Sequence, residues 1–250
     1  MRHIVKFFHG LGQYFLFLVK IISKPEKAKP YYNQIIREMQ KIGLNSLSLV
    51  IIITLFMGAV ITMQTAINFT NPIIPRTFIG YGARDSMILE FSSTMVSLIL
   101  AGKVGANIAS ELGTMRITQQ IDALEIMGVN SAGYLVFPKI IASLIFFPIL
   151  GVIGMTAGIF GGWLVAYLTD YVNITIFETG IRLFFEPFYI TYSLIKITVF
   201  GFLITTISAY QGYFVSGGSV KVGESSTKAV VYSSIFILLF NVILTQLLLG

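Results

Sequence analysis

The sequence predicts an all-α polytopic membrane protein, with an N-terminal interfacial helix, five transmembrane helices and a charged helix between the second and third. Three observations carry that prediction. Mean hydropathy is +0.83 and only 11% of residues are charged, well below the roughly 25% of soluble domains. Five apolar runs are each long enough to cross a bilayer, which takes about 20 residues. The ionisable residues gather between those runs rather than inside them.

The elements follow in chain order. Residues 4–22, IVKFFHGLGQYFLFLVKII, are apolar but carry Lys6, His9 and Lys20. The SKPEKAKP that follows offers no small-residue cleavage site, so a helix lying in the interface with snorkelling lysines fits better than a signal peptide. Pro25 and Pro30 are expected to break the chain, and 31–43 to form a short amphipathic approach helix. The chain thus divides into an N-terminal segment, 1–43, and a membrane domain, 44–250. The first span is expected from about Leu44 to Phe69, with no ionisable residue, followed by the turn-rich NPIIPRTFIGYGARD. The second runs from Ser86 to about Ala109, with Glu90 near its start. The third, Pro138 to Leu168, repeats small residues as Gly154-x-x-x-Gly158 and Gly158-x-x-x-Gly162, spacing that lets helix backbones approach closely. A loop at 170–187 carries Asp170, Glu178, Arg182 and Glu186. The fourth span, about Pro187 to Ala209, contains Lys196; a Gly-rich loop reaches Lys228, and the fifth span is Ala229 to Leu249.

Five spans place the termini on opposite sides. With the N-terminus cytoplasmic, the inner segments hold thirteen basic residues and the outer loops three, Arg76, Arg84 and Arg182, which favours that orientation. The stretch ELGTMRITQQIDALEIMG, Glu111 to Gly128, then faces the cytoplasm. Ile117, Ile121, Leu124 and Gly128 share a helical face, with Glu111, Asp122 and Glu125 away from it. Each ionised residue at mid-bilayer would cost at least ~2.5 kcal/mol, so the stretch is expected along the membrane face, as an inert interfacial helix or as a docking element for a cytoplasmic partner.

Composition removes several chemistries. There is no cysteine, and the two histidines, His3 and His9, both sit at the N-terminus. Disulfide, thiolate and Cys- or His-built metal sites are therefore not expected. The net charge of +6 is concentrated before the first span, as an orientation signal or lipid contact rather than a nucleic-acid site. Gly218-x-x-x-x-Gly223-Glu224-Ser225 has nucleotide P-loop spacing, but a glutamate stands where the phosphate-binding lysine belongs. It reads as a flexible loop, and the chain as one that does not itself hydrolyse ATP. Glu90 and Lys196 remain as ionisable residues at membrane depth. Such residues mark function, pair with one another, or snorkel to an interface.

The segment from Ala101 to Ser143 resembles the signature of the MlaE permease family, membrane subunits of lipid-transporting ABC systems. The matching residues are Ala101-Gly102-Lys103 with Gly105; Ser110-Glu111-Leu112-Gly113 with Met115; Thr118-Gln119-Gln120-Ile121; Ala123-Leu124 with Met127-Gly128-Val129; and Leu135 with Pro138-Lys139. Gln211-Gly212-Tyr213 through Gly223 to Lys228-Ala229-Val230-Val231 is a second match, and the likeness covers roughly residues 40–250. Many relatives read R-E-L-G-P where this chain has Leu89-Glu90-Phe91-Ser92-Ser93, so the basic neighbour of the carboxylate is missing. Lys103 also stands where relatives carry arginine, a point charge in place of a fork.

The resemblance implies a non-catalytic permease subunit in a bacterial inner membrane, with the C-terminus periplasmic. It implies a homodimer, two copies of a separate ABC ATPase, an MCE-domain lipid-binding protein on the outer side, phospholipid as substrate, and no cofactor. Glu111 to Gly128 would be the coupling helix, with Glu111, Leu112, Gly113, Met115 and Arg116 in the ATPase contact. Two copies would enclose a lipid-sized cavity lined by Met63, Gln64, Glu90 and Phe91, with Lys196 supplying positive charge. Two rival readings are a secondary transporter using Glu90 as a proton site and a scaffold that transports nothing.

Overall fold

The structure is a computed structural model that describes residues 2–23, 28–69, 75–170 and 172–250. The break expected at Pro25 and the turn-forming stretch 71–74 lie outside those residues. Helix α1 (Arg2–Ile22) buries Phe17 and Ile21 and leaves Phe15, Leu16, Val19 and Ile22 exposed. Helix α2 (Ala28–Met39) holds Pro30 in its first turn, where a missing amide donor costs nothing. The separate approach helix does not materialise. A π-helical turn, Gln40–Leu44, carries α2 directly into α3 (Asn45–Asn68), so the first span begins inside a helix already under way.

The second span departs furthest from expectation. It begins at α4 (Phe78–Ser86) and continues through a π-helical stretch at Met87–Met95, α5 (Val96–Leu100), a π turn at Ala101–Gly105 and α6 (Ala106–Ile117). The whole is one 40-residue helix, roughly 60 Å at 1.5 Å per residue against about 30 Å of hydrocarbon. The helix is therefore long enough for its charged end to lie outside the hydrocarbon. That resolves the insertion cost without laying the Glu111–Gly128 stretch flat as a single helix: the first half completes the second span. The chain then turns at Thr118 and at Gln119, whose φ is 60°, into the short α7 (Gln120–Ile126).

Helix α8 (Ser131–Leu168) starts seven residues before Pro138, capped by the Asn130 side chain, and absorbs Pro138 and Pro148, as membrane helices can when neighbours satisfy the freed carbonyls. The loop expected at 170–187 contains α9 (Ile174–Arg182), capped by Asn173. Helix α10 (Phe188–Tyr213) runs four residues past Ala209. Helix α11 (Ser219–Leu249) begins ten residues before the expected span, so the Gly218–Ser225 stretch is the start of a helix and not a flexible loop. Sequence scanning placed these boundaries too close to the apolar runs because α8 and α11 start before them and α10 continues past its own.

Helices α3 and α8 pack at backbone distance. A Cβ at Gly58 would strike the Gly158 carbonyl, and one at Gly161 would strike the Leu55 carbonyl, the close approach the small-residue spacing predicts. The main core joins α1, α3, α5, α6, α8 and α10 around Leu100, Leu112, Phe147, Ile197 and Phe200. A smaller cluster, Ile61, Ile79, Met87, Ala166 and Phe177, lies at the end marked by α9. The two ends are called below the α9 end and the α7 end.

Candidate functional site

Near the α9 end, the π-helical stretch presents Glu90 and Thr94 on one face. Glu90 lies twelve residues in from Phe78, deeper than the single turn expected from sequence. Helix α10 sends Lys196 to meet it: Nζ is 2.9 Å from Glu90 Oε1. The ammonium also donates to the Tyr192 hydroxyl at 2.9 Å and to the Leu89 carbonyl at 3.3 Å. It stands 4.7 Å from the Tyr192 ring centre, within cation–π range. Glu90 Oε2 accepts from Thr94 at 3.1 Å and from the Asn241 amide of α11 at 3.2 Å, and the Asn241 oxygen lies 3.0 Å from the same Thr94 hydroxyl. Tyr192 and Thr245 share a hydroxyl contact at 2.7 Å.

The pair is asymmetric. The Lys196 side chain is fully buried, whereas that of Glu90 is 42% exposed. A buried ammonium needs both a counter-ion and acceptors; the Met87–Met95 stretch supplies Glu90 and the Leu89 carbonyl, and α10 itself supplies Tyr192. The basic neighbour absent from Leu89-Glu90-Phe91 is therefore restored from a helix more than a hundred residues away. Of the other expected lining residues, Met63 is half-buried, Gln64 is exposed and Phe91 packs on the small cluster at the α9 end. One chain brings Glu90 and Lys196 together and leaves Gln64 on the surface.

At the α7 end, Lys139 of α8 is buried and ties two helices, with Glu111 of α6 at 2.7 Å and Glu38 of α2 at 2.9 Å. Lys41 closes the group, 3.0 Å from Glu111 and 3.7 Å from Glu38. Leu112 and Gly113 point inward: Leu112 is fully buried, and a Cβ on Gly113 would meet Val222 of α11 at 3.0 Å. Met115 packs partly on the core. Arg116 pairs with Asp122 at 2.6 Å, bracing the turn between α6 and α7. Ile126 and Met127 at the end of α7 are exposed, as are Phe214 and Val220 nearby.

Helix α7 is also fixed from its other side. Glu125 Oε1 accepts from Lys20 at 3.0 Å, the Tyr213 hydroxyl at 2.8 Å and the Ser131 hydroxyl at 3.0 Å. The Lys20 ammonium first and the Tyr213 hydroxyl next hold the Glu125 carboxyl down at about 2, against partial burial and with help from Ser131. Burial pulls the Lys20 pKa down, but the bonds to Glu125 and Tyr213 outweigh it and raise it. At the opposite end the buried Arg84 gathers the carbonyls of Ile181 at 2.6 Å and Leu183 at 2.7 Å, closing the C-terminus of α9. Sequence reasoning counted Arg84 only as an outer-loop charge. Thr94 and Tyr192 could have been found, since each stands four residues from its charged partner on one helix face; Asn241 and Lys139 carry no such local signal.

The family model "Permease MlaE" matches residues 35–247. A probable ABC transporter permease protein of Rickettsia prowazekii is 40% identical over 247 residues, covering 98% of this chain and 95% of its own. The chloroplastic protein trigalactosyldiacylglycerol 1 of Arabidopsis thaliana is 30% identical over 227 residues, covering 91% of this chain and 65% of its own. The intermembrane phospholipid transport system permease protein MlaE of Haemophilus influenzae is 26% identical over 259 aligned positions, covering 100% of this chain and 95% of its own.

Proposed function

Since the chain belongs to the MlaE permease family, we propose that it is the non-catalytic membrane subunit of an ABC transporter moving phospholipid between the inner membrane and a periplasmic MCE-domain partner. A homodimer of this chain would carry two copies of a separate ATPase on its cytoplasmic side. The observation that carries the reading is the continuity of the helix Phe78–Ile117. One element bears the Glu90 network near one end and the Glu111 network near the other, so a movement imposed at α7 reaches the polar group at membrane depth.

In this reading the α7 end is cytoplasmic, as the basic residues favour, and the C-terminus at Gly250 is periplasmic. Ile126 and Met127 of the α7 turn form the apolar contact with the ATPase. Glu111 and Arg116 set the position of that turn, while Leu112 and Gly113 seat α6 against α11. Glu90 offers its exposed carboxylate edge to the head-group region of a cavity completed by Met63, Gln64, Phe91 and the second copy. Lys196 positions that carboxylate and offsets its charge. ATP hydrolysis would be the partner's, and no cofactor is needed.

The test is reconstitution with the ATPase and MCE protein encoded beside it, followed by lipid transfer between labelled vesicles. Transfer that requires ATP and the ATPase supports the proposal. Transfer that follows a proton gradient instead would make this a secondary carrier, and tight assembly without any transfer would make it a scaffold. Reagent labelling of Gly250→Cys only after the inner membrane is opened would reverse the orientation.

A further inference from the structure

A cleft of about 670 Å³ opens at the α7 end between the α2–α3 junction and α6. Its walls include Glu38, Lys41, Ser46, Lys103, Asn107 and Glu111. We propose that this cleft binds the phosphodiester of a phospholipid from the leaflet at the α7 end, separately from any lipid held near Glu90.

Charge is the first argument. Lys41, Lys103 and Lys139 meet Glu38 and Glu111 here, three cations against two anions. Lys139 is buried behind both carboxylates and holds them, and Lys41 shares them. Among the described residues Lys103 has no carboxylate partner; its ammonium reaches the Asn45 carbonyl. One excess positive charge faces the cleft, and a lipid phosphodiester carries one negative charge.

The second argument is an orphan donor. Ser46 is fully buried in the cleft wall, and its hydroxyl has no hydrogen-bond partner among the described residues. A buried polar group left unpaired costs about 1–3 kcal/mol, and a phosphate oxygen is an acceptor that would relieve it. Height is the third. Lys41 lies three residues before the exposed Leu44, and Lys103 three residues beyond the buried Leu100. Lys41 thus stands within about one helical turn, ~5 Å, of the exposed apolar face that Leu44 begins, the level of lipid head groups, and Lys103 lines the same cleft. The floor is apolar, with Ile42, Val104 and Ile108, which suits a glycerol backbone beneath a phosphate. Exposed Leu44 at the π turn and Ile52 and Phe56 on α3 continue that apolar surface along the span. An acidic protein segment would have to descend to this level, whereas the exposed Ile126 and Met127 lie beyond it.

The site does not depend on the transport reading, because binding is measured on the full chain alone, without ATPase or nucleotide. Asn107 is replaced by p-benzoylphenylalanine, and the chain is placed in phosphatidylcholine nanodiscs doped with radiolabelled phosphatidylglycerol or, in parallel, radiolabelled diacylglycerol. Photolabelling by phosphatidylglycerol should exceed that by diacylglycerol several-fold. Lys103→Gln should cut the excess about tenfold, the worth of one 1.4 kcal/mol contact, while Lys103→Arg retains most of it and Ser46→Ala lowers it less. A benzophenone at the exposed Leu239 of α11 should be labelled equally in all variants, which shows that the fold is intact. Equal labelling by the two lipids, or labelling indifferent to Lys103→Gln, overturns the proposal. Loss of the excess in millimolar inorganic phosphate would assign the cleft to free phosphate and also overturn it. Should Lys103→Gln fail to fold, the ratio of the two lipids on the otherwise native chain and on Lys103→Arg still decides.

Discussion

Removing either charge of the Glu90–Lys196 pair should destabilise the chain, but unequally. Glu90→Gln strands an ammonium whose side chain is 0% exposed. Its remaining company is the Tyr192 hydroxyl and the Leu89 carbonyl. Breaking a buried pair from one side costs about 3–5 kcal/mol. Lys196→Met strands a carboxylate that is 42% exposed and still accepts from Thr94 and Asn241. The loss there is one charged hydrogen bond, about 1.5–3 kcal/mol, brought toward the low end by solvent screening. The expected gap between the two variants is about 2 kcal/mol, and the double variant should recover to within about 1 kcal/mol of the native chain. Trp163 is the only tryptophan and reports α8 directly, so equilibrium unfolding in mixed micelles can be followed by its fluorescence. Equal losses in the two single variants, or a larger loss in Lys196→Met, would refute the argument from asymmetric burial.

Glu125 gives a pH prediction. Its carboxyl is held at about 2 against an ordinary 4.5, so its contribution is complete above about 4.5 and is lost as pH falls through about 2. Spin labels at Leu16→Cys and Met127→Cys should keep one distance at pH 7 and broaden across that window, and Glu125→Gln should broaden it already at pH 7; a constant distance in both would contradict the tie. Gly58→Val should prevent folding, since its side chain meets the Gly158 backbone, whereas Gly223→Ala on an open helical surface should stabilise by up to about 1 kcal/mol; thermal unfolding separates them. Glu111→Gln leaves Lys139 with Glu38 alone, loosening α6 from α8, and should reduce ATPase capture and lipid-dependent hydrolysis several-fold while the Glu90 end stays intact. Normal capture and hydrolysis would show that Glu111 has no part in coupling.

The apolar spans were legible because hydrocarbon demands length and forbids charge. The Gly154, Gly158 and Gly162 spacing announced a close helix contact, and α3 provides it. The helix ends were not legible: nothing in hydropathy distinguishes a helix that stops at the interface from one that runs on into water, which is why Phe78, Ile117, Ser131 and Ser219 lie beyond the expected limits. The charged Glu111–Gly128 stretch was expected to be one helix along the membrane face; instead it bends, and the bend depends on Gln119 adopting positive φ, a local choice that glutamine does not advertise. Glu90 and Lys196 were singled out by depth alone. Their meeting needed the tertiary fold, since a carboxylate and an ammonium 106 residues apart leave no periodic trace. Lys139 was counted as an orientation charge, and its burial between two glutamates follows from where α2 and α6 converge.

The backbone contact between α3 and α8 has a mechanical consequence. Helices that mesh through long side chains can slide by exchanging rotamers. At Gly58 and Gly158, and at Gly161 against Leu55, no side chain stands between the chains to rearrange, and any rotation drives a carbonyl into its neighbour. The two helices are thus a keel. Helix α11 is the opposite case. It is the most exposed of the long helices, and near the α9 end it is latched to the remainder by the hydroxyl and amide contacts of Asn241 and Thr245. Such contacts exchange for water or for another polar group at little cost. Flexing of this chain must therefore be taken up along α11, with Thr94 and Tyr192 as the catch that releases it.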